Sequence, residues 1–112
     1  VIISLGTNDA TLYNGHGYTG ELTEQDLANN ITSMLTAVRN QHQNATIVWV
    51  YGQMATAFKE VYEDTVNNFD NNSYYVYARS TTLTGINGHP SADEHDQIAE
   101  QVIKFIEDNN IL

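Results

Sequence analysis

The sequence predicts an α/β fold in which a parallel sheet is covered by amphipathic helices. Three short apolar segments, rich in β-branched and aromatic residues, alternate with three longer segments whose apolar residues recur at helical spacing. Parallel strands need crossover connections, and a β-α-β-α-β-α order is typical of such crossovers. Because a parallel sheet is buried on both faces, we expect helices on each of them.

The first half of the chain contains two of these strands and one helix. Residues 1–5 (VIISL) are apolar except for Ser4, which predicts a strand buried on both faces. Residues 10–22 predict a long loop, and Thr23 predicts the N-cap of a helix with Asp26 at its third position. The apolar stripe of this helix consists of Leu27, Ile31, Met34, Leu35 and Val38. Residues 46–51 predict a second buried strand, with Trp49 in the core.

The second half contains the other strand and two helices. Residues 55–70 predict a helix with an apolar face of Phe58, Val61, Tyr62, Val66 and Phe69. Residues 73–78 predict a third strand, more polar and aromatic and therefore nearer a sheet edge. After a loop over 80–88, Ser91 and Glu94 predict a capping box, and the acidic run 93–96 is expected to be mainly a solvated helix start. The apolar face of the last helix consists of Ile98, Val102, Ile103 and Ile106.

Composition limits the classes of partner. Four basic and 14 acidic residues give a net charge of −10, which repels nucleic acid phosphates and anionic membranes. We therefore expect no nucleic acid and no membrane partner. The absence of Cys excludes disulfides, thiolate metal ligands and a cysteine nucleophile.

The first strand begins at Val1 without any lead-in, and three strands are few for this architecture. We therefore expect residues 1–112 to be the C-terminal part of a single domain, with further βα units upstream. In that case the first strand has an exposed apolar edge, which a second chain or a second copy would cover.

Two segments carry residues suited to catalysis. Gly6-Thr7-Asn8-Asp9 ends the first strand, and ligands of parallel α/β sheets bind at the carboxyl ends of strands. Gly6 permits a sharp turn and close approach to a ligand, and the Asn8 amide could stabilise an oxyanion together with a backbone N–H. An ordinary strand-ending turn has the same composition.

His89 lies just before Pro90 and the last helix, in the loop that follows the carboxyl end of the third predicted strand. Histidine is the usual general base near neutral pH. A solvent-exposed loop histidine is the alternative, although two such sites at one sheet edge are less expected by chance.

Together, Gly6-Thr7-Asn8-Asp9 and the segment 85–95 (GINGHPSADEH) resemble the SGNH (GDSL-type) ester hydrolases, and within them the carbohydrate esterases of family 2. The resemblance implies a flavodoxin-like three-layer α/β/α fold. It matches Asn8 to the oxyanion-hole asparagine, Gly6 to the glycine that opens that motif, and His89 to the catalytic base. It also implies a serine enzyme that removes acetyl groups from carbohydrate, with acetylated polysaccharide or a small ester as substrate, no cofactor, and an extracellular or cell-surface microbial location.

The sequence departs from the family pattern in two ways. It contains no Gly-Asp-Ser segment, so the nucleophilic serine is expected upstream of this chain. Many family members have an aspartate three residues before the histidine, and here that position is Ile86. A backbone carbonyl within residues 85–87 could orient His89 instead.

Other interpretations stay open. Tyr13, His16 and Tyr18 could stack on a sugar ring or simply pack the loop. A metal site at His89, Asp93 and His95 is disfavoured, because acids in a first helical turn are explained by the helix dipole. A non-catalytic carbohydrate-binding or structural domain is the main alternative function. A flavodoxin-like phosphate binder is weaker, since no Gly-rich phosphate loop is present.

Overall fold

The computed structural model describes residues 1–111 and contains five strands and three α-helices. In chain order these are β1 (Ile2–Ile3), β2 (Asn14–Gly15), β3 (Tyr18–Thr19), α1 (Glu24–Gln41), β4 (Ile47–Tyr51), α2 (Lys59–Asn67), β5 (Ser73–Tyr77) and α3 (Ala92–Asp108). Two short 3-10 helices lie at Asp9–Leu12 and Ile86–Gly88. None of the α-helices within residues 1–111 is long and apolar enough to cross a membrane.

The main sheet has the order β1-β4-β5, and both strand pairs are parallel. Ile2 pairs with Val48, and Ile47 pairs with Ser73. This confirms the predicted α/β architecture, and β5 is an edge strand of the sheet, as its composition indicated. Parallel pairing brings the carboxyl ends of all three strands to one edge of the sheet, where the two candidate segments begin.

The central strand β4 is buried along its whole length, and its side chains alternate between two cores. Ile47, Trp49 and Tyr51 pack with α1 and α2 on one face. Val48 and Val50 pack with Ile98 and Val102 of α3 on the other. The central strand is therefore covered on both faces, as predicted for a parallel sheet.

The two longer helices begin where the sequence predicted. Thr23 and Asp26 form a reciprocal capping box at α1, and Ser91 and Glu94 form one at α3. The second helix differs, because α2 starts at Lys59 rather than at residue 55. Phe58 adopts a left-handed backbone (φ 59°), which is incompatible with a continuous helix through that position.

The prediction that strand 1–5 is buried on both faces was wrong. Only Ile2–Ile3 forms β1, and Ile3 is 5% exposed whereas Ile2 is 62% exposed. The reason is geometric: Ile3 faces the well-filled core under α1 and α2, while Ile2 faces the α3 side. There it lines an open groove of about 390 Å³ with Val50, Ile98 and Ile103.

The predicted loop over residues 10–22 is more ordered than expected. It contains a 3-10 helix and the two-residue hairpin β2–β3, in which Gly15 pairs with Tyr18. His16 has a left-handed backbone (φ 51°), as the first turn position of such tight hairpins requires.

Candidate active site

The turn after β1 is fixed by packing. Gly6 is buried with φ +117°, a conformation that side-chain-bearing residues rarely adopt. A Cβ at Gly6 would lie 2.7 Å from Cζ of Tyr62 and would also collide with its hydroxyl oxygen. The Trp49 indole N–H donates to the Leu5 carbonyl at 3.2 Å. The backbone at Gly6 therefore lies directly against the Tyr62 ring of α2.

Asn8 begins the 3-10 helix Asp9–Leu12 but does not cap it. Its side chain makes no capping hydrogen bond, although asparagine is among the best capping residues. Its backbone carbonyl accepts from the Thr11 hydroxyl at 3.2 Å, and the residue is exposed. The amide N–H₂ group of Asn8 is thus not used by the turn that holds it.

His89 lies on a tight loop stabilised by its own backbone. The Gly85 N–H donates to the His89 carbonyl at 2.8 Å, and the His89 N–H donates to the Ile86 carbonyl at 3.2 Å. Asn87 and Gly88 both have left-handed backbones, with φ of 56° and 74°. The imidazole itself is on the exposed side of this loop.

Glu94 holds the two ends of the His89 loop together. Its carboxylate accepts from the Thr82 hydroxyl (2.5 Å), the Thr84 N–H (2.9 Å) and the Ser91 N–H (2.7 Å). These hydrogen bonds, of which that from Thr82 has the largest effect, outweigh the opposing effect of burial and lower the pKa of Glu94 from 4.5 to about 2.

Glu94 is only 3% exposed, so the expectation of a solvated helix start was wrong for this residue. The capping box at Ser91 was visible in the sequence. The bonds to Thr82 and Thr84 were not, because they depend on how the preceding loop folds back.

Both predicted segments lie at the carboxyl edge of the sheet. Asn8 follows β1, and the His89 loop connects β5 to α3, whose first turns reach back over β1 and β4. The position of these first turns follows from His95 of α3. Its neighbours in the α3-side groove are Ser4, just beyond β1, and Gln53, just beyond β4. Within residues 1–111, no hydrogen bond joins the two segments.

The carboxylate that orients a catalytic histidine is not supplied by position 86. The Ile86 side chain is 86% exposed, and the Ile86 carbonyl already accepts the His89 backbone N–H. Gly85 and Asn87 are the other carbonyl sources that the sequence suggested. The assignments of Gly6, Asn8 and His89 to catalysis stay predictions.

Across residues 1–111, no group of three His, Asp or Glu side chains is arranged to hold a metal ion. Glu94, which lies between Asp93 and His95, is committed to the hydrogen bonds of the loop.

The aromatic residues of the hairpin region pack on Phe58. Tyr13 is 3% exposed and meets the Phe58 ring edge-on at 6.0 Å, so it is a core residue. His16 and Tyr18 also contact Phe58, with ring centroids at 4.7 and 6.4 Å. These two additionally line a cavity of about 360 Å³ with residues 54–57 and Arg79.

The fold is similar to that of a known esterase. Over 96% of its length, the chain superposes on an acetyl xylan esterase from the rumen bacterium Butyrivibrio proteoclasticus, with a TM-score of 0.81 and 22% sequence identity. The chain spans 36% of the length of that protein. No family model matches the sequence, and no curated protein matches it. The likeness shows an α/β esterase-like fold.

Proposed function

We propose that this chain is part of an SGNH-type serine ester hydrolase that removes acetyl groups from carbohydrate. The observation that carries the proposal is the placement of Gly6-Thr7-Asn8-Asp9 and His89 at one carboxyl edge of a sheet whose fold resembles an acetyl xylan esterase. In this proposal residues 1–112 belong to a single hydrolase domain, and the nucleophilic serine lies in the protein outside this sequence.

In the proposed mechanism, the His89 imidazole removes the proton from the serine hydroxyl as its oxygen attacks the acetyl carbonyl carbon. The carbonyl oxygen becomes an oxyanion, to which the Asn8 amide and a backbone N–H donate. The intermediate then collapses, and the sugar oxygen leaves with the proton carried by His89. Water repeats the sequence on the acyl-enzyme and releases acetate.

Two features of the site support these roles. The Asn8 amide is exposed and is not used for capping, so it can donate to a substrate without breaking the turn. The His89 backbone is fixed by the Glu94 carboxylate and by the bond between Gly85 and His89. Glu94 is therefore a positioning residue, which acts through the loop rather than on substrate.

The test is acetate release from p-nitrophenyl acetate and from acetylated xylan by the full-length protein. We expect His89→Ala to lower kcat/KM by about 10³-fold or more. The matched control is His42→Ala, since His42 is an exposed histidine at the end of α1, far along the chain from either segment. Equal background rates in all three proteins would overturn the proposal.

A non-catalytic carbohydrate-binding domain is the second candidate. It is favoured by one observation, the exposed hydrophobic Ile86 where many SGNH enzymes have the aspartate that orients the histidine. This alternative predicts that the full-length protein binds acetylated xylan and releases no acetate from it.

A further inference from the structure

Three of the four basic side chains have partners within the protein. Arg39 donates through Nε to Asp70 at 2.9 Å, Lys104 bonds Asp108 at 2.7 Å, and Lys59 lies 4.5 Å from the centre of the Tyr77 ring. The fourth is Arg79, which follows β5 directly. Within residues 1–111, its guanidinium has no carboxylate and no hydrogen-bond acceptor. In a chain of net charge −10, a half-buried cation without a partner is unexpected.

Arg79 lines the cavity of about 360 Å³ described above. The other walls are the hairpin residues His16 and Tyr18 and the segment 54–57, which follows β4. None of these lining residues is acidic. The cavity therefore lies beyond the carboxyl ends of β4 and β5, at the sheet edge that also carries the His89 loop.

The walls of this cavity are held firmly. The Tyr51 hydroxyl donates to the Ala57 carbonyl at 2.6 Å, and the next residue, Phe58, is fully buried in a left-handed conformation. Such strain in a bulky residue is sustained only by well-packed surroundings and often occurs beside binding sites. The Gln101 side chain binds both the N–H and the carbonyl of Arg79, at 3.1 and 2.7 Å. The Arg79 backbone is thus anchored without using its side chain.

We propose that this cavity binds a sugar that bears a carboxylate, with the Arg79 guanidinium pairing the carboxylate and Tyr18 contacting the sugar ring. A guanidinium presents two parallel N–H groups that match the two oxygens of a carboxylate. Tyrosine offers a flat apolar face and a hydroxyl, which suits a sugar ring. That the ligand is a sugar rests on the proposed function, whereas the pairing of an anion by Arg79 rests on the cavity alone.

The experiment is an NMR titration of the full-length protein at about 0.15 M salt, where long-range repulsion from the acidic surface is screened. The probes are methyl glucuronide, the corresponding glucuronamide, and inorganic phosphate. None of them carries an ester, so binding is measured independently of hydrolysis. The titration is repeated with His89→Ala, which lacks the proposed catalytic base. We expect this variant to bind methyl glucuronide as the wild type does, so a loss of binding reports on the Arg79 cavity and a loss of hydrolysis reports on the esterase proposal.

We expect methyl glucuronide to bind at least about ten-fold more tightly than the glucuronamide, and Arg79→Gln to remove that difference. Arg79→Lys should retain part of it, since lysine keeps the charge but not the paired geometry. Lys104→Gln, which removes one exposed charge elsewhere, should leave binding unchanged.

Equal binding of the glucuronide and its amide would overturn the proposal, and so would tighter binding of phosphate than of the glucuronide. Unchanged glucuronide binding in a folded Arg79→Gln protein would do the same. Circular dichroism would verify that each variant is folded.

Discussion

The two segments at the carboxyl edge of the sheet are fixed by different forces. The turn at Gly6 is held by steric packing against Tyr62, which is 1% exposed and stacks on Tyr51 at 4.2 Å. The loop at His89 is held by the Glu94 carboxylate and by hydrogen bonds within its own backbone. Packing forces depend little on pH, whereas a carboxylate loses its acceptor strength when it is protonated.

This difference predicts that the two segments fail under different perturbations. Changes of side-chain volume should disturb the turn at Gly6 and spare the loop at His89. Removal of the Glu94 charge, by substitution or by acid, should disturb the loop at His89 and spare the turn at Gly6. If both segments responded alike to each perturbation, the same interactions would hold both of them, and the difference described here would be wrong.

The largest expected effect is that of Gly6→Ala. We expect it to lower the free energy of unfolding by about 3 kcal/mol or more, because backbone strain is added to overlap with a buried ring. The matched control is Gly88→Ala in the other segment, where φ is +74° and nothing lies within 4 Å of the added Cβ. That change should cost about 1–2 kcal/mol from strain alone. Urea unfolding measures both, and equal losses would contradict the role of Tyr62.

The next largest effect is expected from Glu94→Gln. The N–H groups of Thr84 and Ser91 both donate to the Oε2 atom of Glu94, and the Thr82 hydroxyl donates to Oε1. A neutral amide keeps only one acceptor oxygen and loses the charge that strengthens these bonds. We expect amide hydrogen exchange at both residues to speed up by about ten-fold or more, with no change at Trp49. Glu100→Gln, an exposed change on the same helix, is the control. Unaltered exchange at Thr84 would show that the loop is held without Glu94.

Acid should weaken the same loop in a defined pH range. Because the pKa of Glu94 is about 2 in the folded protein and 4.5 ordinarily, folding favours its ionised form. Its contribution to stability is complete above pH 4.5, declines as pH falls below that value, and is lost below about pH 2. The stability difference between the wild type and Glu94→Gln should therefore shrink between pH 5 and pH 2. A constant difference would show that these contacts do not lower the pKa of Glu94.

The smallest effect on stability is expected from Asn8→Ala. Since the Asn8 side chain caps nothing, the free energy of unfolding should change by less than about 0.5 kcal/mol. An asparagine that capped its helix would cost about 1 kcal/mol on the same change. If Asn8 serves an oxyanion, kcat/KM of the full-length protein should nevertheless fall by about 10²–10³-fold. A large stability loss without a loss of activity would make Asn8 structural.

Much of the architecture could be predicted because it depends on local patterns. The apolar run of β4 and the capping boxes at Thr23 and Ser91 were visible in the sequence, and the structure contains them. The late start of α2 could not be predicted, because Ala55 and Ala57 are good helix formers and no residue of 55–57 breaks a helix. The late start depends on the left-handed backbone of Phe58. The rings of Tyr13, His16 and Tyr18 pack on the Phe58 ring.

The candidate site was predictable only in part. Motif order and strand ends located Asn8 and His89 at one sheet edge, since parallel topology alone requires it. The roles of Glu94 and Arg79 depend on loop geometry that composition does not encode. The sequence offered one signal for Arg79: with four basic residues against 14 acidic ones, most cations are expected to have a carboxylate partner.

The hydrogen bonds accepted by the Glu94 carboxylate also affect how the protein folds. Its bond to Thr82 spans 12 residues and its bond to Ser91 spans three, so the ring they close is short. Closing a loop of that length carries an entropic cost of about 2 kcal/mol, which is about 1 kcal/mol less than that of pairing Ile2 with Val48. We therefore expect the His89 loop and the first turn of α3 to become ordered together, without needing the complete sheet. The geometry around His89 is thus largely encoded within residues 82–94, and it should tolerate changes elsewhere in the domain.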